Sequence, residues 1–215
     1  MMNFEIQARL RESGVIAVVT IESADQAISL GEALLAGGID VIELTLRSDA
    51  ALDSIKRITS SLPDILVGAG TVIRPQQVLE VQDAGASFAV SPGTNPRVMQ
   101  AAQDAALPFA PGVCTPSDIE VALESDCKIL KFFPAEQSGG LPYLKSMAAP
   151  YRHLGVEFIP LGGLNETNAG EYLSSSLTIA LGGSWIAPPG LIASERWDEI
   201  ELRARKAREL KTGIG

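Results

Sequence analysis

Short apolar runs alternate with amphipathic helical stretches from one end of this sequence to the other, and no other feature narrows the possible folds as far. The runs fall at about 14–19, 40–46, 65–70, 87–91, 108–112, 127–133, 156–161 and 178–183. Strand, helix, strand in strict succession is the signature of repeated βα units around a parallel sheet. Eight such strands close into a ring, so the expected fold class is α/β, a (β/α)8 TIM barrel. A short N-terminal helix is expected over the charged amphipathic start, Met1 to Arg11.

The helices are equally legible. Residues 24–36 place Ala27, Leu30, Leu34 and Leu35 on one side, and the stretch 75–84 opens with Pro75 in its first turn, where a missing N–H leaves nothing unsatisfied. Gly37-Gly38 and Gly85 supply the glycines that helix ends favour before a strand begins. The last helix is expected at about 195–210, and the cations of 203–211 suit its C-terminal dipole. No linker or low-complexity tract interrupts the βα period, so a single barrel domain over 1–215 is expected.

Composition excludes several classes of function. With 46% hydrophobic and 20% charged residues, the chain is long enough for one substantial core. A net charge of −9 speaks against nucleic acid and anionic membrane surfaces as partners, because both are bound by clustered Lys and Arg. No stretch approaches the roughly 18 continuous apolar residues of a membrane helix, and the start does not read as a signal peptide, so the cytoplasm is the expected compartment. Cys114 and Cys127 form no C-x-x-C pair and read as reduced, buried thiols rather than a disulfide or metal site. His153 is the one histidine and falls in a loop, which argues against zinc sites and Ser-His-Asp hydrolysis. Neither a metal nor a cofactor is expected.

In a parallel barrel the chemistry sits at the C-terminal strand ends. Here those ends are polar or glycine-rich: Glu43-Leu44-Thr45-Leu46-Arg47, Gly68-Ala69-Gly70-Thr71, Ser91-Pro92-Gly93-Thr94, Lys131-Phe132-Phe133-Pro134, Leu161-Gly162-Gly163 and Gly182-Gly183-Ser184. Lys131 is the most telling. Burial among Leu130, Phe132 and Phe133 disfavours an ammonium relative to the free, nucleophilic amine, and that amine is what Schiff-base carbonyl chemistry requires. Strand side chains alternate between faces, so Glu43, Thr45 and Arg47 share one face while Ile129, Lys131 and Phe133 share another. If both faces point inward, an amine, a proton-carrying acid and a guanidinium for an anionic substrate meet above the core. Arg47 near a helix start opposes the helix dipole and is read as a carboxylate ligand. Thr71, after two glycines, is read as a substrate contact. The glycine pairs Gly162-Gly163 and Gly182-Gly183, with the hydroxyl of Ser184, are read as a phosphate site at the last two strand ends.

On Val41-Ile42-Glu43-Leu44-Thr45-Leu46-Arg47, Val67-Gly68-Ala69-Gly70-Thr71-Val72, Ser91-Pro92-Gly93, Leu130-Lys131-Phe132-Phe133-Pro134-Ala135-Glu136 and Gly182-Gly183-Ser184-Trp185, the chain resembles the 2-keto-3-deoxy-6-phosphogluconate (KDPG) aldolases, which also cleave 4-hydroxy-2-oxoglutarate. The resemblance implies a class I aldolase on a (β/α)8 barrel, assembled as a homotrimer, releasing pyruvate and glyceraldehyde 3-phosphate without a metal. By position it implies Lys131 as the Schiff-base lysine, Glu43 as general acid/base, and Arg47 with Thr71 on the pyruvyl carboxylate. Pro92 and Phe133 would line the pocket, with Gly162, Gly163 and Ser184 at the phosphate. One neighbour departs from the pattern: where the family reads Pro-Thr-Gly-Gly, this chain reads Pro160-Leu161-Gly162-Gly163. An apolar side chain there replaces a hydroxyl that could face the substrate, which leaves the preferred sugar acid open.

The expected partner is therefore a small phosphorylated 2-keto acid. The rivals are the same chemistry on the galactonate epimer, a metal-independent phosphosugar isomerase or epimerase that transfers protons without an imine, and a non-catalytic phosphosugar-binding barrel.

Overall fold

Continuous apolar runs become strands buried on both faces, because in a parallel barrel one face meets the inner core and the other meets the helices. The computed structural model describes residues 2–213. Its strands are β1 (Val15–Val19), β2 (Val41–Thr45), β3 (Leu66–Gly70), β4 (Phe88–Val90), β5 (Phe109–Ala110), β6 (Gly112–Val113), β7 (Ile129–Phe132), β8 (Glu157–Pro160) and β9 (Leu181–Gly183). Every residue of β1, β2, β3 and β7 is buried.

All pairings are parallel, in two ladders of order β5-β4-β3-β2-β1-β9 and β6-β7-β8. The ladders join at two seams. At one, the chain runs from β5 into β6 through Pro111, whose carbonyl accepts the Lys131 N–H at 2.9 Å. At the other, Phe158 of β8 bridges Thr178, with Phe158 N–H donating to Leu177 at 2.7 Å and Ile179 N–H donating to Phe158 at 3.0 Å. The ring is thus closed by eight staves. The run expected at 108–112 is split in two because proline has no N–H for the ladder. The run expected at 178–183 pairs regularly only from Leu181 onward.

Two apolar clusters follow from the alternation of side chains. The larger lies between strands and helices. The smaller fills the barrel with Ile16, Val18, Val41, Leu66, Phe88 and Ile129, among others, and includes Met2, Ile6 and Leu10 from the N-terminal segment. The helix Phe4–Ser13 therefore closes the N-terminal end of the barrel. Asn3 caps it by accepting the Ile6 N–H at 2.9 Å, and Gly14 at φ 68° ends it in the left-handed conformation that glycine adopts without strain. The last helix is Trp197–Thr212, two residues later at each end than the expected span.

Candidate active site

Register fixes the centre of the site. β2 and β7 carry Glu43 and Lys131 on their inward faces, continuing the rows begun by Val41 and Ile129 in the inner core. The two meet: Lys131 Nζ lies 3.1 Å from Glu43 Oε1 and 3.4 Å from Oε2. Both side chains are almost fully enclosed, at 6% and 3% exposure. Glycine makes this possible. A Cβ on Gly70 would stand 2.2 Å from Glu43 Oε1, so β3 leaves the volume that the carboxylate occupies. Gly112, in register with Lys131, similarly lets the Pro92 carbonyl pack against β6, where a Cβ would stand 2.2 Å from it.

Above the pair lies a cavity of about 420 Å³ at the C-terminal mouth of the barrel. Thr45 and Phe133, each one inward step beyond Glu43 and Lys131, line it, so the pair sits one layer beneath it. The Phe133 ring centroid is 5.7 Å from Lys131 Nζ, within the range of a cation–π contact. Arg47 also lines the cavity and is exposed, and its guanidinium makes no ion pair among the described residues. A cation aimed at a cavity with no protein carboxylate against it is suited to an anionic ligand.

Much of the remaining cavity wall comes from the last two strand ends. Gly162, Gly163, Gly182 and Ser184 line it, and Ser184 is exposed toward it. Gly162 and Gly163 have φ of 103° and 78°, which turns the backbone in a way side-chain-bearing residues rarely adopt. The loop is held from behind. The Asn168 side chain donates through Nδ2 to the Gly163 carbonyl at 3.2 Å and accepts the Asn165 N–H on its Oδ1 at 2.8 Å, and Tyr172 of the helix Ala169–Leu173 donates to Glu136 at 2.5 Å. Burial, and then the Glu136 carboxylate, push the Tyr172 phenol well above the usual range, so it remains a donor.

Three expected contacts lie elsewhere. Pro92 borders a separate hollow of about 230 Å³ shared with Val72, Ile73 and Thr94. Gly183 faces away from the cavity and gives room to Trp185, whose ring a Cβ would meet at 2.6 Å. Thr71 is half-buried beside Gly70 and does not line the cavity; nor does it cap a helix, since the following one, Pro75–Asp83, begins at Arg74. Leu161 does line it, filling the space over Gly182 so closely that a Cβ there would stand 2.0 Å from its Cδ1.

Val18, Thr20, Leu164 and Pro189 also line this cavity, beyond the residues to which the sequence points, as does Thr45, expected only on the inward face of β2. A signal for Thr20 was present: it continues the inward row Ile16, Val18 one step past β1. His153 is exposed in the 3-10 turn Ala149–Leu154, far in sequence from any of these loops. Cys127 is buried, with its thiol pushed up by that burial, and Cys114 is half-buried, 3.0 Å from Ser138 Oγ. Among the described residues no group of three or more His, Cys, Asp or Glu gathers to hold a metal ion.

The family model described as KDPG and KHG aldolase matches residues 6–202. The chain is 39% identical over 206 residues to the 2-dehydro-3-deoxy-phosphogluconate aldolase of Haemophilus influenzae, covering 96% of each. It is 37% identical over 211 residues to the KHG/KDPG aldolase of Escherichia coli, covering 97% of this chain and 98% of that one. Among solved structures, the KDPG aldolase from Legionella pneumophila, with pyruvate captured at low pH as a covalent carbinolamine intermediate, superposes with a TM-score of 0.88. It is 39% identical and the match covers 93% of this chain and 96% of that one.

Proposed function

Because this chain belongs to the KDPG and KHG aldolase family, we propose that the buried Lys131–Glu43 pair is the catalytic couple of a class I aldolase and that the cavity above it holds the substrate. The enzyme is an aldehyde-lyase that cleaves KDPG to pyruvate and glyceraldehyde 3-phosphate through a Schiff base, and it acts also on 4-hydroxy-2-oxoglutarate, giving pyruvate and glyoxylate.

The single observation that carries the residue roles is the 3.1 Å contact between an enclosed amine and an enclosed carboxylate under the cavity. An ammonium in such a place is held by its partner, and the partner is also the acceptor through which it can lose its proton. With the proton on Glu43, the Lys131 amine attacks the C2 ketone. Glu43 protonates the carbinolamine oxygen, water leaves, and an iminium forms. Glu43 then takes the proton of the C4 hydroxyl as the C3–C4 bond breaks. The bonding electrons pass into the iminium to give an enamine, and the aldehyde departs. Protonation of the enamine at C3 and addition of water release pyruvate and restore the lysine.

In this reading Arg47 binds the carboxylate, Phe133 meets the apolar face of the pyruvyl group, and Gly162, Gly163, Gly182 and Ser184 bind the phosphate; all of them line the cavity. Thr71 and Pro92 flank the couple from β3 and β4, outside the cavity; they belong to this reading as contacts made once substrate is bound, with Gly183 behind the phosphate loop. The reading includes assembly as a homotrimer, supported by the exposed apolar side chains of Ile73 and Leu79, and work in the cytoplasm; no helix among the described residues is long and apolar enough to cross a membrane.

Incubation with pyruvate and borohydride tests the covalent step. The expected result is irreversible loss of activity with a reduced pyruvyl adduct on the peptide carrying Lys131. An unmodified Lys131 after full treatment would remove the mechanism.

A further inference from the structure

The cavity has a polar side that the phosphate loops and Arg47 do not account for. Thr20, one residue past β1, and Thr45, at the end of β2, both line it, and their hydroxyl oxygens lie 2.7 Å apart. Thr45 is 3% exposed, so its hydroxyl is enclosed, while Thr20 is half-buried. In a pair of hydroxyls one O–H is used up between the two, and the other remains, with free lone pairs. Neither hydroxyl makes any other hydrogen bond among the described residues, so the remaining donor has only the cavity to address. Beside them the wall is apolar: Leu161 sits over Gly182, next to Val18 of the row that Thr20 continues.

We infer that the Thr20–Thr45 hydroxyl pair is a specificity element of the site, hydrogen-bonding a hydroxyl on the substrate carbons between the keto group and the phosphate. This role rests on the reading of the cavity as the aldolase site. A substrate held by Lys131 on β7 and by the glycine loops after β8 and β9 lies in a cavity that the ends of β1 and β2 also wall, and its hydroxylated carbons need a donor or acceptor there. The side at β8, where Leu161 stands, offers none. The side at β1 and β2 offers two, already oriented by each other. A site that hydrogen-bonds a substrate hydroxyl discriminates against a misplaced one far better than an apolar wall does.

The test separates this role from the covalent chemistry. Pyruvate has no hydroxylated carbons, so exchange of its C3 protons with solvent reports Lys131, Glu43 and Arg47 but not the proposed contact. In Thr20→Val, kcat/KM for cleavage of KDPG is expected to fall about tenfold more than the rate of pyruvate exchange, the scale of one hydrogen bond lost. Thr20→Ser should restore cleavage. The ratio of kcat/KM between KDPG and its C4 epimer should change in Thr20→Val and not in Thr20→Ser. Equal losses of cleavage and exchange, or undiminished cleavage in Thr20→Val, would overturn the assignment, as would failure of Thr20→Ser to recover cleavage. Absence of pyruvate exchange in the unaltered enzyme is a different result, because it strikes at the Schiff-base reading itself.

Discussion

An amine and a carboxyl group enclosed at 6% and 3% exposure hold one another in place, and each is a liability without the other. Removing one partner of a buried pair leaves an uncompensated charge, typically at a cost of about 3–5 kcal/mol. Lys131→Met is therefore expected to unfold at clearly lower urea than the unaltered chain, and adding Glu43→Gln to it should return more than about 1 kcal/mol of that loss. Strictly additive losses would show that the two side chains are not coupled. This pair was legible in the sequence because alternation on two short strands fixes which residues face inward, and a lysine among Leu130, Phe132 and Phe133 has few other reasons to be there. Thr20 was not singled out, since a threonine just past a strand has many bland uses and its partner Thr45 is 25 positions away.

At the level of elements, the strands are shaped as much by what they leave out as by what they carry. Gly68 leaves room for the Phe88 ring inside the barrel, where a Cβ would stand 2.2 Å from it, and Gly70 leaves room for the Glu43 carboxylate. Gly70→Ala places a methyl group on Glu43 Oε1, so the carboxylate must move. A displacement of about 1 Å at a catalytic group costs on the order of 100-fold in rate, so kcat is expected to fall by about that much. If kcat is unchanged, Glu43 is not held by that strand. The strand positions were readable from apolar runs, with boundaries within a residue or two for most. The break at Pro111 carried its own sign, a residue with no N–H, but the thinning of the last run to Leu181–Gly183 did not. Which of the glycine-rich ends face the cavity was also hidden. Gly182 and Gly183 are neighbours, and only the pleat decides that the first lies under Leu161 and the second under Trp185.

At the scale of the whole molecule, the chain divides its ends by task. The N-terminal end of the barrel is packed with Met2, Ile6 and Leu10, all buried, and the C-terminal end carries the cavity and every candidate catalytic group. The fold was readable because eight runs with helices between them admit few arrangements, whereas assembly was not: an exposed apolar side chain looks the same in sequence whether or not a partner covers it. In the proposed trimer, the exposed side chains of Ile73 and Leu79, at 51% and 55%, are candidates for what a second copy covers. Sedimentation of the intact chain should give three times the 22.7 kDa of one copy, and a species of single-chain mass would remove the trimer.

The plug formed by the helix Phe4–Ser13 makes the barrel a blind well with one doorway. Whatever is tethered at the bottom must wait for the upper fragment to clear the threshold. Cleavage then dictates a queue: the phosphorylated aldehyde exits first and pyruvate second, and in the synthetic direction pyruvate must be seated before the aldehyde can enter, an order that product-inhibition patterns would register.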